Sequence, residues 1–109
     1  MKEIILTDDG RDYTLVFTRN SVAKLEQQFS FKIENLGDKP MTTLPLLFYG
    51  AFLEKQPYLK REVANKILEK LVNKRALIDK LSEMYGDAVN SLIDEPETTE
   101  GNATWEASF

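Results

Sequence analysis

The chain has 109 residues, 42% hydrophobic and 29% charged, a balance that excludes fibrous, collagen-like and wholly disordered classes and fits one domain with one modest core. It contains no cysteine and no histidine, which excludes disulfides, iron–sulfur clusters, thiolate nucleophiles, and the commonest general base and transition-metal ligand. The net charge of −4 has a single source: of 18 acids, Asp94, Glu95, Glu97, Glu100 and Glu106 stand without a base in the last 16 residues, and the remaining 13 face 14 bases in a near-neutral body.

Lys2 to Thr7 reads as a strand, Asp8-Asp9-Gly10-Arg11 as turn chemistry, and Asp12 to Thr18 as a second strand. In that second strand Tyr13, Leu15 and Phe17 alternate strictly with Thr14, Val16 and Thr18. Two strands alone are marginal in water, so this hairpin must lean on helices or on another chain. Asn20 or Ser21 is the expected cap of a helix to about Phe29, with Val22, Leu25 and Phe29 on one face. Ser30 to Lys39 follows as a connector pinned to the core by Phe31, Ile33 and Leu36, with a stop at Leu36 to Pro40.

The next expected helix is capped by Thr42 or Thr43, with Pro45 in its first turn. Leu44, Leu47, Phe48, Ala51 and Phe52 form one apolar face, and Leu46, Tyr49 and Leu53 lie roughly opposite. A helix that is apolar nearly all round must be covered all round, inside the fold or by a partner. Leu46, Phe48, Tyr49, Phe52 and Leu53 are therefore the candidate protein-binding residues, alongside a reading of the same helix as the central core helix; one face inward and one outward satisfies both. Gln56-Pro57 ends it. Two amphipathic helices are then expected, from Lys60 to about Lys74 and from about Ala76 to Ile93, with Gly86 marking a possible bend in the second, which leaves open whether it is one helix or two.

From Asp94 onward the composition predicts a disordered acidic tail, in which Trp105 and Phe109 stand out as a candidate linear motif for a partner's groove. The resulting fold class is α+β, mostly α: an N-terminal β-hairpin followed by about four helices over residues 1–93, with a tail at 94–109. The N-terminus has no signal-peptide pattern, and the longest uncharged run, Pro40 to Leu53, falls short of the about 20 residues a bilayer-spanning helix needs. Those features imply a cytoplasmic protein with no membrane partner.

No catalytic, cofactor-binding or metal-binding set can be assembled from these residues, so no enzyme, cofactor or metal is expected. Asp8 and Asp9 read as hairpin turn rather than calcium loop. Asn102-Ala103-Thr104 fits a glycosylation sequon only by chance in a chain without a secretory signal. Lys66, Lys70 and Lys74, spaced one helical turn apart, could face nucleic acid, but the neutral body disfavours that, and a solvated helix face is the plainer reading. The acidic tail could instead fold back onto that stripe, or onto a neighbour's.

The order of features resembles the tail assembly chaperones of long-tailed bacteriophages and prophages of Gram-positive bacteria. The residues that carry the resemblance are the hairpin (Glu3-Ile4-Ile5 and Tyr13 to Phe17), Ala23-Lys24-Leu25-Glu26-Gln27-Gln28-Phe29, the Pro45-Leu46-Leu47-Phe48-Tyr49-Gly50-Ala51-Phe52 helix, the two amphipathic helices and the ending Gly101-Asn102-Ala103-Thr104-Trp105-Glu106. The resemblance implies a non-catalytic protein of the bacterial host cytoplasm that binds the long helical tape measure protein, keeps it soluble while the tail is built, and is left out of the mature virion. It also implies a longer form made by ribosomal frameshifting that recruits tail tube protein. Coating a long client favours a homo-oligomer built through the hairpin edge and the apolar helix. The competing expectations are a structural tail or adaptor protein kept in the virion and a small nucleic-acid-binding regulator.

Overall fold

Asp9 and Gly10, with φ of 52° and 80°, form the two-residue turn that joins β1 (Ile4–Asp8) to β2 (Arg11–Leu15). Positive φ at both central positions matches the right-handed twist of the flanking strands, which is why Asp-Gly is so strong a hairpin signal. The pairing is antiparallel, from Asp8↔Arg11 at the turn to Ile4↔Leu15. The computed structural model describes residues 2–92, 103 and 105–109. The expected end of the last helix at Ile93 and most of the expected tail, 94–102 and 104, lie outside the described residues.

Helices follow in the order α1 (Arg19–Phe29), α2 (Asn35–Asp38), α3 (Pro40–Phe52), α4 (Arg61–Lys70) and α5 (Lys74–Asn90). The chain therefore has the expected architecture, a hairpin followed by several helices. Among the described residues no helix is long and apolar enough to cross a membrane.

The boundaries differ from expectation for identifiable reasons. The second strand stops at Leu15, because the Val16 amide leaves the hairpin and donates to the Ala51 carbonyl of α3 at 3.0 Å. Thr18, not Asn20 or Ser21, caps α1: its hydroxyl accepts from the Ser21 amide while Ser21 Oγ accepts from the Thr18 amide, a reciprocal capping box. Pro40 opens α3 at its first turn, where a missing amide costs nothing, so the segment expected to stop one helix starts the next. Pro45 then lies inside α3, where it cannot bond the Met41 carbonyl one turn back. The helix expected over Lys60 to Lys74 ends at Lys70; Leu71 turns extended and Asn73 turns left-handed at φ 59°, so Lys74 begins α5.

Helix α5 runs unbroken through Gly86. A Cβ at Gly86 would meet nothing within 4 Å. Gly86→Ala is therefore expected to stabilise the domain by about 0.5–1 kcal/mol, the intrinsic helical difference between the two residues, read from denaturant midpoints.

The core is organised around α3, which touches α1, α2, α4, α5 and β2. Val22 and Leu25 of α1, Tyr13 and Leu15 of β2, Ala64 and Ile67 of α4, and Leu81 and Met84 of α5 close on it. Edge-on aromatic pairs link the layers, with Tyr13–Phe52 and Phe48–Phe52 centroids 5.5 and 5.1 Å apart. Phe31, as expected, pins the connector; with Phe17 it packs against Tyr85, at 5.3 and 5.5 Å.

That packing raises the Tyr85 phenol from its ordinary value of 10 to about 12, chiefly through burial, with the carboxylates of Glu26 and Glu34 adding to it. The folded protein then keeps a proton that the unfolded chain releases above pH 10, so stability falls as pH rises from about 10 to 12. Lys2 and Lys70 are also raised, by hydrogen bonds to Asp87 and to Asp8, and their contribution fades in the same direction. The expected result is a loss of stability between about pH 10 and 12 that Tyr85→Phe makes shallower, read from denaturant midpoints across that range.

Candidate protein-binding surface

The apolar helix expected to meet a partner is α3, and four of its five candidate residues are enclosed within the fold. Phe48 and Phe52 are 0% exposed, and Tyr49 and Leu53 are buried. Of the five candidates only Leu46 is half-exposed. From Leu47 to Phe52 the helix is enclosed by its own chain, with α1, α4, α5 and β2 packed against it, while Met41, Leu44 and Leu46 in its first half keep apolar surface in solvent. The Tyr49 hydroxyl, which could have pointed to a partner, donates to the Leu59 carbonyl at 3.2 Å, and its ring meets Phe29 edge-on at 5.7 Å. Arg61 in turn lies over the Phe29 ring.

Apolar surface lies elsewhere. Between α3, α4 and α5 an open trough of about 640 Å³ is floored by Leu44, Leu68 and Ile78 and rimmed by Glu69, Lys74, Arg75 and Asp79. All three apolar residues are half-buried. It lies where α4 ends at Lys70 and α5 begins at Lys74. Met41, one turn before Leu44 on α3, is 88% exposed. Tyr58, on the loop after α3, is 96% exposed. Trp105 and Phe109, the candidate tail motif, are exposed too.

A second hollow, of about 620 Å³, lies where the N-terminal segment meets the end of α5. Its charged groups already have partners. Lys2 reaches Asp87 at 2.9 Å and Glu83 at 3.3 Å, and Arg19 donates to Ser91 Oγ at 3.1 Å and to the Ser91 carbonyl. These are exposed contacts, screened by solvent, and they account for the hollow as a fastening between elements.

The basic stripe is not one surface. Lys66 and Lys70 belong to α4 and Lys74 to α5. Lys70 is paired with Asp8 at 2.7 Å, and Lys74 donates to the Glu69 carbonyl at 2.9 Å. Asp8 and Asp9, the one adjacent acidic pair of the hairpin, thus serve a salt bridge and a turn. Among the described residues no three acidic side chains gather as a metal site.

The trough is not legible in the sequence: Leu44, Leu68 and Ile78 belong to three different helices, and their meeting is a matter of tertiary packing. The fold is that of a small α+β domain in which a hairpin and surrounding helices enclose one central helix. The chain belongs to the family described as a domain of unknown function (DUF5055), which it matches over residues 1–109. No curated protein and no solved structure matches it.

Proposed function

We propose that this protein is a phage tail assembly chaperone that binds the tape measure protein and keeps it soluble in the host cytoplasm, without catalysis. The observation that supports this reading is the trough of Leu44, Leu68 and Ile78 with two bases and two acids on its rim. An amphipathic client helix lays its apolar anchors into such a groove at spacings of one turn, while its flanking charges meet the rim. A rim of mixed sign suits many client segments in turn, and a holder of a long helix needs many weak contacts rather than one tight pocket. The exposed Met41 beside it extends the apolar strip with a flexible side chain that adapts to varied partners.

In this reading the protein leaves before the virion is finished, several copies coat one client, and a frameshifted longer form carries the tail tube protein. The test is co-expression with the tape measure protein of the same genome. Soluble client with the native chain, and insoluble client with Leu68→Asp or Ile78→Asp variants that still fold, is the expected result. A client that stays insoluble beside the native chain overturns the function; rescue undiminished by both variants overturns the surface. Abundant protein in purified virions would make it a structural tail component instead.

A further inference from the structure

The hairpin leaves one edge of β1 without a partner strand. A two-residue turn closes on the bonded pair Asp8↔Arg11, so Ile4, Leu6 and Asp8 trade backbone bonds with β2, and Glu3, Ile5 and Thr7 turn their amides and carbonyls outward. Among the described residues no backbone bond outside the hairpin reaches these three. Beside that edge runs a groove lined by residues 4 to 7 on one wall and by Leu71 to Asn73 with the first turns of α5 on the other. Successive strand side chains point to opposite faces, so a hollow touching four in succession follows the edge rather than one face. Ile5 and Val72, both lining it, are 63% and 88% exposed.

We infer that this edge pairs with β1 of a second copy, antiparallel about a twofold axis at Ile5, joining two hairpins into one four-stranded sheet. The register follows from the residues. Only outward-facing groups can exchange bonds, so Glu3, Ile5 and Thr7 must oppose one another. Centring on Leu6 sets Glu3 against Asp9, two like charges, and Ile4 against Asp8. Centring on Ile4 sets Lys2, a charge, against the buried Leu6, and runs Thr7 to the first residue of the chain, beyond the strand. Centring on Ile5 sets Ile5 against itself, Ile4 against Leu6, Glu3 against Thr7 and Lys2 against Asp8: apolar meets apolar, and base meets acid. A self-complementary edge is what a twofold interface requires. Exposed edges are ordinarily guarded by a charge, a proline or a bulge, and Ile4-Ile5-Leu6-Thr7 has none of these. Lys2 and Asp8 keep their present partners Glu83, Asp87 and Lys70, to which the second copy adds an opposite charge.

The inference needs no client, so its test is separate from that of the chaperone reading. Sedimentation of the full chain at concentrations up to about 1 mM, where even an association of roughly −4 kcal/mol is half formed, is expected to show dimer. Ile5→Lys, with its side chain in solvent and folding checked by circular dichroism, is expected to weaken the dimer at least tenfold by setting two ammonium groups opposite each other. The chain has no native thiol. Ile5→Cys is therefore expected to be joined to itself by a short bismaleimide. Thr7→Cys is not, since its own copy lies about 14 Å along the partner at roughly 3.4 Å per residue, but it is joined to Glu3→Cys when the two are mixed. A monomer at the highest concentration, a dimer undisturbed by Ile5→Lys, or Thr7→Cys joining itself as readily as Ile5→Cys overturns the inference.

Discussion

Phe48→Ala is expected to remove about 3–5 kcal/mol of folding stability, and Phe52→Ala the same. Both rings are 0% exposed and packed edge-on against each other, so truncation deletes apolar contacts on every side and opens a hole that surrounding helices can only partly close. Against a total of roughly 5–15 kcal/mol for a domain, either change brings the chain near unfolding, and thermal scans should drop by on the order of 15–30 °C. Phe48→Asp is worse, since a carboxylate with no partner would be buried. Leu46→Ala, on the half-exposed side of the same helix, is the contrast and should cost far less. A loss below about 1 kcal/mol for either phenylalanine, from urea unfolding, would show that the ring sits outside the core and return it to the list of binding residues.

Gly50→Ala should destabilise by about 1–3 kcal/mol, opposite in sign to Gly86→Ala although both sites are helical. A Cβ at Gly50 would lie 2.3 Å from Leu25 Cδ1 and 2.9 Å from Cδ2. Leu25 is itself wholly buried, so it has nowhere to swing, and α1 would have to be pushed from α3. The propensity gain of roughly 1 kcal/mol for alanine in a helix does not offset that strain. Because the cost passes through one neighbour, it should shrink when that neighbour is shortened. In a cycle with Leu25→Ala, itself costing about 2–5 kcal/mol, the double variant is expected to be more stable than the sum of the singles predicts by more than about 0.5 kcal/mol. Strict additivity would mean that the close approach of these helices carries no strain.

The elements legible in the sequence were those written into local chemistry. Asp9-Gly10 announced the hairpin, the alternation of Tyr13 and Leu15 gave its inner face, and the amphipathic pattern after Ala76 announced α5. Boundaries were less legible where one residue can serve two ends. Thr18 continued the alternating pattern of the strand and so hid its role as a cap; Pro40 looked like a stop because proline both ends and opens helices. Asn73 carried a signal, since asparagine tolerates the left-handed region, but the apolar pattern running on through Leu71 and Val72 masked it. The character of α3 was read correctly, as a helix needing cover on every side, but the sequence carries no statement of who supplies it. Here the chain covers the helix's second half, and the candidate surface lies at Leu44 of its first half with Leu68 and Ile78. Gly50 was invisible as a contact point because its significance lies in Leu25, 25 residues earlier in the chain.

The fastening of Lys2 to Glu83 and Asp87, and of Arg19 to Ser91, has a bearing on synthesis at the ribosome. Residues at the head of the domain have their mates in α5, the last helix among the described residues. Until α5 clears the exit tunnel, Phe17 lacks Tyr85 and the first strand lacks its tether, while the hairpin's inner face waits for α3. Completion of the domain thereby waits on the synthesis of α5, and the nascent chain presents its unguarded strand edge in the meantime.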